Sequence, residues 1–388
     1  MNTKEKTDKH IMNSYAPRLD IVLDNGKLRE GITGDGTKYI DFGSGIGTNS
    51  LGFCDGDWSA AVCAQVNSLQ HTSNYYYTKP QAELAEKLCE ITGMSNVFFG
   101  NSGAEANECA IKLARKYSFD KYGKDRHTII TLKNSFHGRT LCTISATGQD
   151  AFHNYFFPFV EGFVHVSADS IDEMKQAFNG TVCAVLLEFI QGEGGVVPLD
   201  EAFVRETVKL CAENDVLLIA DEIQTGVGRT GKFLAAEHYG VKPDVITLAK
   251  GLGGGLPIGV CLATEKCKDV LNPGTHGSTF GGNPVSCAGG LVVTEKVTAH
   301  GFLTEVSAKS EYIKNKLSLI EEVKSVSGKG LMLGIELRTK TAGDVVKKAL
   351  GHGLLVLTAK EKVRLLPPLN ITYEEIDKGL KILQDVLK

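Results

Sequence analysis

The sequence predicts an α/β fold in which a mainly parallel central sheet is covered by helices and a smaller α+β lobe is assembled from the two chain ends. Short apolar runs alternate with segments of helical period through the middle of the chain, and the two ends follow a different pattern. Residues 128–132, 184–190, 216–220, 245–249 and 258–264 are apolar runs of strand length and read as buried strands. Between two of them, segment 200–214 repeats Phe203, Thr207, Leu210 and Cys211 at three-to-four spacing, which predicts a helix. Such repetition gives a sheet buried on both faces, with ligands beyond the carboxyl ends of its strands.

The N-terminal stretch to about Trp58 reads as short strands, with turns at Asn25-Gly26 and Gly34-Asp-Gly36. After Asn283-Pro284 a long helical pattern begins, followed by an apolar strand over 331–337. We therefore expect residues 1–58 and 285–388 to form the small lobe and 59–284 the large α/β domain. At 388 residues the chain is long for one core. A net charge of -4 and a pI near 6.2 give no basic footprint, so neither nucleic acid nor an anionic membrane is an expected partner. No apolar run approaches the roughly 18 residues of a membrane span, and the opening residues lack the apolar core of a secretory signal. The ten cysteines show neither a Cys-x-x-Cys pair nor zinc-ligand spacing. They read as reduced core residues of a cytoplasmic protein, with no metal site.

Asp221 and Lys250 each close one of the apolar runs, and opposite charges at buried strand ends need partners. One cofactor suits both, pyridoxal phosphate (PLP). A lysine in a partly desolvated pocket loses its proton and can form a Schiff base with the carbonyl, while a carboxylate keeps the pyridine nitrogen protonated as an electron sink. Either residue alone also fits a simpler role, Lys250 snorkelling from a strand end and Asp221 capping a helix. Gly100-Asn-Ser-Gly-Ala-Glu-Ala-Asn-Glu108 adds a small-residue turn that opens a helix, where Ser102, Gly103 and Ala104 can offer N–H groups to a phosphate. The alternative is an ordinary serine cap with Glu105 in a capping box. Gly226-Val-Gly-Arg-Thr-Gly231-Lys232 mimics a nucleotide loop, but Phe233 stands where Mg²⁺ chemistry needs Ser or Thr. We read it as a turn-rich surface loop.

Taken together, the chain resembles the class III, or ω-amino acid, branch of the fold-type I PLP-dependent aminotransferases, most closely its acetylornithine group. The resemblance rests on Asn101-Ser-Gly-Ala-Glu-Ala-Asn107, Ser135-Phe-His-Gly-Arg-Thr140, Leu187-Glu-Phe-Ile-Gln-Gly-Glu-Gly-Gly195 and Asp221-Glu-Ile-Gln-Thr-Gly-Val-Gly-Arg-Thr-Gly231. Thr247-Leu-Ala-Lys-Gly-Leu-Gly-Gly-Gly255, His276-Gly-Ser-Thr-Phe-Gly-Gly-Asn-Pro284 and Val363-Arg-Leu-Leu-Pro-Pro368 complete it, in family order along nearly the whole chain.

The resemblance implies roles. Lys250 would hold PLP and shuttle the proton; Asp221 would pair with the pyridinium; Gln224 would bond the ring hydroxyl; Phe136 would stack on the ring. Ser102, Gly103 and Ala104 would bind the phosphate, with Thr279 supplied by a second subunit of an obligate homodimer. His137, Glu222 and Ile223 would complete the cofactor site. On the substrate side, Arg139 would clamp the donor's carboxylate, and Arg364 the α-carboxylate of glutamate or 2-oxoglutarate. Glu193 would neutralise Arg364 when the ω-amino donor is bound, and Tyr15 and Ser278 are further substrate contacts.

Ala104, Phe189 and Asp55-Gly-Asp-Trp58 depart from the usual motifs without touching the catalytic set. Ile46 lies where ornithine-specific relatives tend to carry an aromatic, which favours an acetylated donor. The expected activity is therefore transfer of the δ-amino group of N2-acetylornithine to 2-oxoglutarate in arginine biosynthesis. The rivals are a broader ω-aminotransferase acting on succinyl-diaminopimelate, ornithine or 4-aminobutyrate, a nucleotide-binding oxidoreductase, and a non-catalytic binding protein.

Overall fold

A computed structural model describes residues 1–388. At its centre is a seven-stranded sheet in the order Asn96–Gly100, Gly259–Ala263, Val245–Leu248, Leu217–Asp221, Val182–Leu187, Thr128–Leu132, Phe163–Val166. Val182–Leu187 and Leu217–Asp221 are buried at every position, as strands covered on both faces must be. Gly259–Ala263 runs antiparallel to both its neighbours. The sharp return after Lys250–Gly253, through Gly254 and Gly255 at φ 59° and 124°, leaves no chain for the crossover helix a parallel strand needs.

Two strands were not among those read from the sequence. Asn96–Gly100 leads directly into the 102–104 turn, and Phe163–Val166 is an edge strand that buries only Val166 fully. Helix Glu201–Glu213 is capped by Asp200, which accepts from the N–H groups of Ala202 and Phe203, and it buries Phe203, Thr207 and Cys211 as expected.

The chain ends meet in one four-stranded sheet, where Leu354–Leu355 pairs in parallel with Lys38–Asp41 beside Glu30–Thr33 and Leu23–Lys27. Asn25-Gly26 lies inside Leu23–Lys27 and is not a turn; Leu28, at φ 52°, takes that role. Gly26 is there for close packing, since a Cβ would sit 2.5 Å from the Phe53 ring. A second four-stranded sheet holds Val323–Lys329, Met332–Leu337, Lys362–Leu365 and Leu357–Ala359, with Arg364 opposite Gly334 and Leu357.

The 226–231 loop corrects a second expectation: it turns repeatedly, but it is buried and not on the surface. Arg229 is 2 % exposed, and its Nη1 donates to the carbonyls of Leu331 (2.9 Å) and Pro367 (2.5 Å). A Cβ at Gly226 would meet Leu248 at 2.5 Å, and one at Gly228 would meet Val297 at 2.6 Å, so these glycines serve dense packing. The cysteines are all free, but Cys54 and Cys63 are exposed and not core residues. No helix is long and apolar enough to cross a membrane.

Candidate active site

Asp221 ends its strand 3 % exposed. Its Oδ2 accepts from Asn107 Nδ2 and His137 Nδ1, each at 2.8 Å, and its Oδ1 from the Ile223 N–H at 3.1 Å. Asn107 is fixed in turn: its Nδ2 also donates to the His137 carbonyl at 2.8 Å and its Oδ1 accepts from Thr247 Oγ1 at 2.9 Å. Every hydrogen-bonding atom of the Asn107 side chain therefore serves to hold the carboxylate and its histidine. Neither Asn107 nor Thr247 was assigned a role from the sequence; both stood inside quoted motifs.

Lys250 lies just past Val245–Leu248 with φ 40°, an uncommon conformation for a non-glycine residue that is typical of functional sites. Burial pushes its ammonium below the ordinary lysine range, against the opposing pull of the Glu193 charge. A neutral amine is what a carbonyl cofactor requires.

Ser102, Gly103, Ala104, Phe136, His137, Arg139, Asp221, Ile223, Gln224 and Lys250 all line one cavity of about 430 Å³. Its floor includes the start of helix Gly103–Tyr122, where Ser102 Oγ accepts from the Glu105 N–H at 3.2 Å. At Gly103 a Cβ would fall 2.8 Å from Ile223 Cδ1, so only glycine lets the turn and Ile223 approach. An anion-binding helix start, a braced carboxylate and a desolvated amine in one cavity match the phosphate, ring nitrogen and carbonyl of PLP. The residues present fit that cofactor.

Two guanidiniums flank this centre. Arg364, 3 % exposed, places Nη1 at 2.6 Å from Glu193 Oε1 and 3.1 Å from Gln224 Oε1, and Gln224 Nε2 donates to the same Glu193 oxygen at 3.2 Å. Burial raises the Glu193 carboxyl, but the Arg364 charge and hydrogen bond, with the Lys250 charge and the Gln224 hydrogen bond, together outweigh it and hold the group below its ordinary range. Arg139 is exposed at the cavity mouth, its guanidinium 5.7 Å from the Phe136 ring centre and 4.4 Å from that of Phe152.

Glu188, which the sequence reading passed over, links these regions. Its Oε2 accepts from the Phe136 N–H at 3.1 Å and its Oε1 from the Gly192 N–H at 3.2 Å. Burial, and then repulsion from Asp221, push its carboxyl up to about 7. The available signal was an acid inside the otherwise apolar run 184–190.

Six expected site residues lie outside the cavity lining: Glu193 and Arg364 flank it, and Glu222, Tyr15, Ser278 and Thr279 lie farther off. Glu222 is turned away, its carboxylate accepting from Thr225 Oγ1 and from the Ala235 and Ala236 N–H groups at 2.9 Å, because alternate residues leaving a strand face opposite sides. Tyr15 is exposed under the Arg18 guanidinium. Ser278 and Thr279 line a separate hollow of about 820 Å³, although Ser278 Oγ is 3.2 Å from Asn101 Nδ2 beside the phosphate turn.

The profile of the aminotransferase class-III family matches residues 21–387, and this chain belongs to that family. Among curated proteins it is 50% identical to the acetylornithine aminotransferase of Haemophilus ducreyi, over 99% of this chain and 98% of that protein. It is 47% identical to that of Aquifex aeolicus, over 97% and 100%. Among solved structures it superposes on N-acetylornithine aminotransferase from Stenotrophomonas maltophilia K279a with a TM-score of 0.84 at 37% identity, covering 96% of each chain. Ornithine aminotransferase from Toxoplasma gondii ME49 gives 0.93 at 31% identity, covering 100% of this chain and 95% of that one.

Proposed function

We propose that this chain is a PLP-dependent aminotransferase that moves the δ-amino group of N2-acetylornithine to 2-oxoglutarate. The observation that carries the reading is a single cavity holding Asp221 and Lys250, flanked by one latched guanidinium, Arg364, and one unlatched, Arg139. The full-length similarity to proteins named acetylornithine aminotransferase supports the choice of donor.

PLP, when bound, supplies an electrophilic carbonyl and an electron-withdrawing ring that accept an amino group and pass it on. Lys250 would hold the cofactor through its amine and would move the proton at the substrate carbon. Asp221, immobilised by Asn107 and His137, would pair with the ring nitrogen. The N–H groups of Gly103 and Ala104 would receive the phosphate, and Gln224 and Phe136 would hold the ring. With an acylated donor present, Glu193 stays on Arg364 and no cation competes for the wrong end of the substrate. With glutamate or 2-oxoglutarate present, Glu193 gives way and Arg364 takes the α-carboxylate while Arg139 holds the other.

On this reading Thr279 and Ser278, outside the cavity of their own chain, reach the cofactor site of a partner in a homodimer. Residues 1–58 and 285–388 form the small lobe on the 59–284 domain, and the enzyme works in the cytoplasm. Steady-state kinetics with acetylornithine, succinyl-diaminopimelate, ornithine and 4-aminobutyrate test the proposal; acetylornithine is expected to have the highest kcat/KM. Markedly better turnover of ornithine or 4-aminobutyrate overturns the donor assignment. Absence of a visible band sensitive to borohydride, even after PLP is added, overturns the cofactor assignment.

A further inference from the structure

We propose that Phe152 is a positioning residue, presenting the Arg139 guanidinium to substrate carboxylates without neutralising it. The inference deepens the reading above and rests on Arg139 being a carboxylate clamp. Arg139 makes no hydrogen bond or ion pair with any protein group; its contacts of note are the two aromatic faces, Phe152 the nearer at 4.4 Å. The two rings stand edge to face, 5.8 Å apart at 63°, so they form a corner over which the planar cation can lie.

No acid forms an ion pair with it. Glu108 is engaged by Thr140 Oγ1 at 2.5 Å, and Asp150, in the same short helix as Phe152, forms no ion pair with Arg139. Phe152 itself is held by its neighbours: its N–H donates to the Gln149 carbonyl at 3.0 Å, and the adjacent His153 ring bonds the Ile144 carbonyl at 2.9 Å. A ring face restrains an arginine but leaves all its N–H donors available, whereas a carboxylate occupies them and must be displaced by each substrate. That matters for a clamp that must serve both half-reactions.

The test is single-turnover and steady-state kinetics of the holoenzyme carrying Phe152→Leu, Phe152→Tyr or Arg139→Gln. Phe152→Leu should raise the KM of the acylated donor and of glutamate about three- to tenfold with kcat little changed, while Phe152→Tyr, which keeps a π face, stays near wild type. The half-reaction with pentylamine, which has no carboxylate, should be unaffected by either. An unchanged KM in Phe152→Leu overturns the proposal. So does an equal loss with pentylamine, which would mean that Phe152 acts on the Phe136 ring or on the fold. If Arg139→Gln itself leaves carboxylate KM values unchanged, the clamp reading fails and the positioning role falls with it; if Arg139→Gln raises them and Phe152→Leu does not, only the positioning role falls.

Discussion

The two arginines beside the cavity carry the same charge and are restrained by opposite means. Arg364 is buried in a strand and latched by Glu193 and Gln224; Arg139 stands at the mouth on two aromatic faces with its donors free. On the proposed roles, the latched cation would bind a carboxylate only when the latch is displaced, and so would discriminate. The free one would bind whichever carboxylate arrives. A site that must accept two different substrates in turn thus needs one gated and one open cation, and the difference lies in what each is packed against.

The largest effect expected is common to both corners. Lys250→Ala should lower kcat by on the order of 10⁴-fold with either amino donor, and stopped-flow absorbance would register it; a donor-selective loss would mean that the lysine belongs to one corner only. Next, Glu193→Gln removes the charge of the latch. The ratio of kcat/KM for glutamate to that for acetylornithine should rise about tenfold, because a free Arg364 no longer has to exchange partners; an unchanged ratio would show that the ion pair is structural. Arg139→Lys should raise KM about tenfold for both substrates, since a point charge cannot reproduce a bidentate fork. If only one substrate responds, the open corner is also selective.

A smaller effect concerns the brace behind the site. Glu222→Gln replaces an acceptor by an NH₂ group facing backbone N–H donors and should destabilise the protein by about 1–3 kcal/mol in denaturant unfolding. The smallest is a pH dependence centred on Glu188, which bonds the backbone of both corners. Its folded pKa of about 7 exceeds the ordinary glutamate value of 4.5, so the native state binds the extra proton. This group's stability contribution is fully present below about 4.5 and is lost as pH rises through about 7. Glu188→Gln should flatten that part of the stability profile; an unaltered slope would assign it to another group.

How far the site could be read from the sequence follows from the range of the interactions. Asp221, Lys250 and the Ser102–Ala104 turn were legible because each sits at the junction of two local patterns, where a charge or a glycine breaks an apolar run. Arg364 and Glu193 were legible through motif resemblance alone, since nothing local pairs residues so far apart. Phe152 was not legible, because a ring under a guanidinium leaves no spacing signature. One strand direction was hidden as well: Gly259–Ala263 has the composition of the sheet's parallel strands, and only the tight glycine return reverses it. The 226–231 loop misled because glycine serves equally for exposed turns and for close packing, and only contacts such as Gly228 against Val297 separate them.

Arg229, in that same loop, bears on how the molecule can move. Its guanidinium is shut away from water and rests on two carbonyls from the C-terminal part of the chain, Leu331 and Pro367. Swinging that part about a hinge would strip both carbonyls from a buried cation, a displacement opposed by several kcal/mol. This contact therefore resists separation of the C-terminal part of the chain from the 226–231 loop and ties the small sheet to the large one.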